Sequence, residues 1–87
     1  MSTQATVQIE ALRVWQIILA ILLHGQDVGP SAVDTHLKGA PKPHIEGIQR
    51  IIRDSKCHTS EFVPDGVWGD QSTLSLRQLY FTAHPSN

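Results

Sequence analysis

Residues 6–24 read TVQIEALRVWQIILAILLH, and this stretch decides the class of fold. Most of its residues are good helix formers. Its apolar side chains cover more than one face of a helix, which is typical of a central core helix; they are Ile9, Leu12, Trp15, Ile17, Leu19, Leu22 and Leu23. Gly25 follows as the left-handed residue that commonly ends a helix, and His24 suits the negative end of the helix dipole in the last turn.

A connection rich in glycine and proline follows, from Gln26 to Pro43, and it has room for at most one short helix, Ser31 to Lys38. Ser31 is expected to cap that helix, and Gly39 is expected to end it. Pro43 then introduces a second strong helix over HIEGIQRIIRDSK. Its isoleucines form one apolar stripe; they are Ile45, Ile48, Ile51 and Ile52.

The segment KCHTSEFVPDGVWGDQ contains Pro64, Gly66 and Gly69 and therefore predicts a loop. A last helix follows in QSTLSLRQLYF, with Asp70 or Ser72 as its cap. Its apolar positions are Leu74, Leu76, Leu79 and Tyr80. The fold expected is all-α: a small bundle of three main helices plus one short helix, in a single domain over residues 1–87, with a glycine-rich DGVWG loop before the last helix.

Composition indicates a globular chain that binds no nucleic acid. Of its 87 residues 40% are hydrophobic and 17% are charged, and the formal net charge is -1, with no run of basic residues to meet phosphates. The N-terminus lacks the features of a secretory signal, so a cytoplasmic or virion-associated protein is expected unless a partner carries it elsewhere. The apolar stretch Val14–Leu23, about ten residues, is short of the roughly eighteen that span a bilayer.

Residues 45–80 resemble the helical peptidoglycan-binding repeat of cell-wall hydrolases. The resemblance is carried by the first helix (IEGIQRII, residues 45–52), by the DGVWG loop (residues 65–69) and by the spacing of the last helix. Lys56, Cys57 and Tyr80 differ from the usual residues of that pattern. The resemblance implies a helical fold and a shallow groove beside the loop that binds a glycan or a stem peptide. In hydrolases of this kind the catalytic site lies in a separate domain.

Four residues are the predicted ligand contacts: Gln49, Arg53, Asp65 and Trp68. Each also has a structural interpretation. Asp65 can accept backbone N–H groups within its own turn, and Trp68 can fill the core beneath the last helix. Gln49 and Arg53 can belong to a solvated helix face.

No catalytic residue, metal site or cofactor is predicted. The five histidines show no i, i+4 pair and no Cys-x-x-Cys partner. The carboxylates show no recognisable acid/base pair. A non-catalytic binding module is therefore expected.

Two functions remain open at this stage. The first is binding of peptidoglycan or cell wall by a phage or phage-derived product. The second is protein–protein interaction by a small cytoplasmic or virion protein that uses the same scaffold as an adaptor, an inhibitor or a homo-oligomer formed through the apolar N-terminal helix. An exposed patch of Trp15, Ile18 and Leu22 would favour the second.

Overall fold

A computed structural model shows four α-helices joined by loops, and it describes residues 3–85. The helices are α1 (Thr3–Leu23), α2 (Pro30–Lys38), α3 (Lys42–Asp54) and α4 (Asp70–Ala83). No strand is present within residues 3–85, so the predicted all-α fold of three main helices and a short one is confirmed. Residues 1, 2, 86 and 87, which the single-domain prediction included, lie outside the described residues.

Helix α1 ends at a left-handed turn, as the position of Gly25 predicted. Gly25 has φ +83°, and its N–H donates to the carbonyl of Leu19 at 3.0 Å, the long closing bond of a helix C-terminus. His24 also has positive φ, 54°. His24 therefore lies just past the helix, and its predicted place in the last turn is wrong.

The four helices enclose one hydrophobic core, in which α1 packs mainly on α4. Trp15, Ile18 and Leu22 are 1%, 0% and 8% exposed, so they belong to the core and form no surface patch. The Trp15 ring meets the Tyr80 ring edge-on, with centroids 4.9 Å apart. The core residues beside them are Ala11, Leu19, Val33, Leu37, Ile45, Ile48, Ile52, Cys57, Phe62, Trp68, Leu76, Leu79 and Ala83.

By length and composition, α1 is also the one helix in the described residues that could cross a membrane. The qualifying stretch is Ala5–Leu23, 19 residues, of which 28% are buried. It is longer than the predicted apolar segment because its mean hydropathy stays high when the more polar residues 5–13 are included. A core helix of a small domain meets the same criterion, and the inner face of α1 lies in the core.

Three predicted helix caps are wrong, because backbone geometry begins these helices without a side-chain cap. Gly29 precedes α2, and Gly69 precedes α4, each in an extended conformation and without a side-chain cap bond. Ser31 instead lies inside α2, and Ser72 is 4% exposed inside α4. Asp70 is the first residue of α4, where its charge suits the positive end of the helix dipole.

The isoleucine stripe of α3 is confirmed, since Ile45, Ile48 and Ile52 are buried and Ile51 is partly buried. Helix α3 ends at Asp54, two residues before the predicted end, because Lys56 adopts φ +62°. The chain then crosses to α4 through residues 55–69 without further helix. This crossing loop carries the DGVWG sequence and lies against α2, α3 and α4.

Candidate functional site: a clasped loop and its groove

The DGVWG loop is a series of tight turns built on Asp65. The Asp65 N–H donates to the carbonyl of Val63 at 3.0 Å, and the Asp65 carboxylate accepts the N–H of Val67 at 3.0 Å. A carboxylate that accepts an N–H two residues ahead mimics a backbone turn. The turn-forming interpretation of Asp65 is therefore confirmed. The side chain is also exposed.

The side chain of Gln49, on α3, supports this loop from the core side. The side chain is 0% exposed, so its predicted place on a solvated helix face is wrong. Its Oε1 accepts the N–H of Gly66 at 2.8 Å, and its Nε2 donates to the carbonyl of Val67 at 2.8 Å and to Oγ of Ser72 at 2.9 Å. A longer contact of 3.4 Å joins Nε2 to the Asp65 carboxylate. Gln49 therefore supports the loop, and the surface beside it is formed by other residues.

Position 66 requires glycine because of its backbone conformation and because the Lys42 side chain lies close to it. Gly66 has φ +80°, which is favourable only for glycine. The side chain of Lys42 passes over it, so that a Cβ at position 66 would collide with Cγ and Cε of Lys42. The first residue of α3 thus covers the turn that Gln49 supports from inside.

Trp68 fills the core, and its polar edge joins the loop to α2. The ring is 9% exposed, which confirms the structural interpretation over an exposed platform for sugar stacking. Its Nε1–H donates to the carboxylate of Asp34, and the Thr73 hydroxyl donates to the same oxygen at 2.7 Å. Lys38 approaches the other Asp34 oxygen at 3.3 Å. Asp34 therefore connects α2, the loop and the start of α4.

The carboxylates of Asp34, on α2, and Asp65, in the loop, are both held in the charged form. Burial would raise the pKa of Asp34, but hydrogen bonds from Thr73, Trp68 and Lys38 and the charge of Lys38 outweigh it and lower the pKa. The N–H of Val67 is the main cause that lowers the pKa of Asp65. Burial opposes it, and a hydrogen bond from Gln49 adds to the lowering.

The other end of the loop is attached to α4. Oγ of Ser75, a fully buried residue, accepts the N–H of Thr59 at 3.0 Å. The Thr59 hydroxyl donates to Oε1 of Gln71 at 2.6 Å, and Nε2 of Gln71 donates to the Glu61 carboxylate at 3.3 Å. Side chains of three helices thus fix the path of the loop at both ends.

A surface groove lies between the loop and the first turn of α4. We call it the loop groove; its volume is about 430 Å³, and it is lined by Glu61, Val63, Asp65, Val67, Gly69, Asp70, Gln71 and Ser72. Val63 and Val67 are 59% and 62% exposed, although both are apolar. Three carboxylates and no cation line this groove, so it favours ligand groups that donate N–H or O–H over groups that carry negative charge.

Arg53 lies in a different depression, on the α3 side of the loop. That depression is about 300 Å³ in volume and is lined by Arg50, Arg53, Asp54 and Pro64. Arg50 is paired with Glu46 at 2.8 Å. Of the four predicted contacts, Asp65 faces the loop groove, Arg53 faces the second depression, and Gln49 and Trp68 are buried between the loop and the helices.

The sequence did not point to several residues that shape the site. Asp34 and Ser75 are bonded to loop residues at separations of 34 and 16 residues, respectively, and nothing in their local sequence predicts such a bond. Val63 and Val67 carried one signal, because they are β-branched apolar residues that flank the Pro-Asp-Gly turn of the loop.

Within residues 3–85, no group of three or more His, Cys, Asp or Glu side chains is placed to hold a metal ion. Cys57 is a free thiol and is 5% exposed. The loop groove itself presents carboxylates, the Gln71 amide and two exposed valines.

No protein-family model matches the chain, and no match is found among curated proteins or solved structures. The resemblance to the peptidoglycan-binding repeat consequently rests on residues 45–80 alone.

Proposed function

We propose that this protein is a non-catalytic binding module whose loop groove takes a fragment of peptidoglycan. The observation that carries the proposal is the pair of exposed valines, Val63 and Val67, in a groove whose shape is fixed by buried side chains. Exposed apolar side chains on a preformed concave surface are a common feature of ligand sites. The resemblance of residues 45–80 to the cell-wall repeat supports the choice of ligand.

The chemistry of the groove suits such a ligand. A glycan or stem peptide offers hydroxyl and amide donors together with methyl groups. The carboxylates of Glu61, Asp65 and Asp70 can accept those donors, and the valine side chains can cover the methyl groups. Such shallow contact supports dissociation constants in about the micromolar to millimolar range.

The test is co-sedimentation of the protein with insoluble peptidoglycan sacculi over a range of concentrations. Wild-type protein is expected to bind in a saturable manner. Val67→Ser removes apolar contact from the groove and is expected to weaken binding about 3- to 10-fold. Asp70→Asn, which removes one carboxylate, is expected to weaken it as well.

Ile9→Ser is the matched control, because Ile9 is exposed to a similar degree, 65%, but lies on α1 away from the loop groove. Its binding should equal that of the wild type. Absence of sedimentation with sacculi, or an equal loss in Ile9→Ser and Val67→Ser, would refute the proposal. Circular dichroism should verify that each variant is folded.

A second candidate function, protein–protein interaction, is favoured by a separate observation. Helix α1 exposes Val7, Ile9, Ile17 and Ile21 by 42–65%. These exposed apolar side chains lie on a different helix from the loop groove. A partner there would act independently of any ligand at the loop.

A further inference from the structure

Helix α1 carries two rows of side chains with the spacing of a helix–helix contact. The inner row consists of Ala11, Trp15, Ile18 and Leu22; it is at most 8% exposed and lies in the core. The second row lies roughly 100° further around the helix at 3.6 residues per turn. We call it the outer seam; it consists of Val7, Glu10, Val14, Ile17 and Ile21, and His24 follows just past the end of α1.

The outer seam has the pattern of a contact surface but is mostly exposed within the described chain. Its members alternate at intervals of three and four residues, which is the spacing of the a and d positions in paired helices. Val7, Ile17 and Ile21 are 44%, 42% and 51% exposed, and Val14 is partly buried. A helix that covers only one face normally has polar residues on its other faces.

We propose that the outer seam pairs two copies of this chain, with their α1 helices antiparallel. Glu10, the polar member, stands near one end of the seam, and His24 lies just past the other end. When Val14 of one copy lies opposite Ile17 of the other, Glu10 lies opposite Ile21 and about one helical turn from His24 of the second copy. A carboxylate and an imidazole can then form a hydrogen bond at each end of the contact.

Parallel pairing would be less favourable. It would place Glu10 directly opposite Glu10 of the second copy, and like charges in one layer repel. It would also align the two helix dipoles in the same direction. The distribution of charge along the seam therefore selects the antiparallel arrangement.

A groove on the same side of α1 supports this arrangement. It has a volume of about 510 Å³ and is lined by Thr6, Val7, Glu10, Val14 and residues 54–57, where α3 ends and the crossing loop begins. In the antiparallel pair, Ile21 of the second copy lies over Glu10, at the mouth of this groove. Twofold symmetry repeats the contact, so each copy places an isoleucine at the groove of the other. The loop groove plays no part in this contact, so the inference stands independently of the cell-wall proposal.

The first test is sedimentation equilibrium of the full chain from about 5 µM to about 1 mM, a range that covers weak association. The wild type is expected to shift from monomer to dimer as concentration rises. Ile17→Glu places a charge in the seam and is expected to weaken association on the order of 100-fold. Ile9→Glu is the matched control, because Ile9 is 65% exposed on the same helix but outside the seam.

Several results would overturn the proposal. One is a wild type that stays monomeric throughout, and another is an equal loss of association in Ile9→Glu and Ile17→Glu. A monomer that co-sediments with phosphatidylcholine–phosphatidylglycerol vesicles, and loses this in Ile17→Glu, would assign the seam to a lipid surface instead.

The second test determines orientation by disulfide formation in a Cys57→Ala background. Glu10→Cys combined with Ile21→Cys should give a covalent dimer on oxidation, because these positions face each other in the antiparallel pair. Ile21→Cys alone should give little covalent dimer, since the two introduced cysteines would stand about 16 Å apart along the helix, beyond the reach of a disulfide. Equal cross-linking by Ile21→Cys alone would overturn the antiparallel arrangement.

Discussion

The side-chain oxygen of Gln49 accepts the backbone N–H of Gly66 at 2.8 Å, although the two residues are 17 positions apart. The amide nitrogen of the same side chain donates to the carbonyl of Val67 at 2.8 Å. One buried amide therefore satisfies a donor and an acceptor of adjacent loop residues. The shape of the loop groove depends on this support.

Gln49→Leu should destabilise the protein by about 2–4 kcal/mol, because a side chain of similar size leaves the N–H of Gly66 and the carbonyl of Val67 without their buried partner. Urea unfolding followed by circular dichroism measures this loss. Gln16→Leu, at an exposed position on α1, should change the free energy of unfolding by less than about 0.5 kcal/mol. A Gln49→Leu variant as stable as Gln16→Leu would contradict the structural role of Gln49.

Gly66→Ala should cost about 1–2 kcal/mol, since alanine is strained at positive φ. The added Cβ also displaces Lys42. Combining Gly66→Ala with Lys42→Ala should remove only the steric part, so the double variant should stay less stable than Lys42→Ala alone. Gly39→Ala is the control, because Gly39 has φ −102° and open space around its Cβ position. Thermal unfolding of the four variants separates the two contributions.

The two tryptophans allow the hydrogen bond to Asp34 to be measured. Nε1–H of Trp68 donates to Asp34, whereas buried Nε1 of Trp15 has no hydrogen-bond partner among the described residues. Both Trp→Phe substitutions remove the same atoms, but only Trp68→Phe breaks a charge-assisted bond. Trp68→Phe should therefore lose about 1–2 kcal/mol more in free energy of unfolding than Trp15→Phe. The reverse order would contradict this assignment.

Acidification should weaken the Asp34 network. The pKa of Asp34 is lower in the folded protein than its ordinary value of 3.8, so the stability it contributes is present above about pH 4 and is lost as pH falls through the folded pKa. Between about pH 6 and about pH 3, Asp34→Asn should lose less free energy of unfolding than the wild type. Lys38→Gln removes only a partner that is 63% exposed, so its pH dependence should stay close to that of the wild type. An Asp34→Asn profile as steep as that of the wild type would refute the assignment.

Local sequence patterns predicted the helices well because each pattern depends on neighbouring residues. The isoleucine spacing predicted the buried stripe of α3, and Gly25 predicted the end of α1. Helix starts were less predictable. Gly29 and Gly69 precede α2 and α4 in an extended conformation and without a side-chain cap bond, and the local start signals are instead Pro30 and Asp70, the first residues of those helices.

The site was only partly predictable, for a similar reason. The motif pointed to the DGVWG loop, which borders the loop groove, and to Asp65, whose predicted turn the structure contains. It could not tell that Gln49 is buried. Residues 48, 49 and 52 share one face of α3, and only the loop that lies over this face decides whether it is fully covered. Asp34 is joined to Trp68 across 34 residues, a distance at which local sequence carries no signal.

The loop between α3 and α4 is clasped by side chains from three helices, and this has a consequence for folding. Its contacts with Asp34, Gln49 and Ser75 can form only after those helices have docked, so loop closure belongs to the late, non-local steps of folding. Protection of the Gly66 amide from hydrogen exchange should therefore appear when the bundle assembles, and not when any single helix forms. A partly folded chain would keep its helices while lacking the surface that could recognise a ligand.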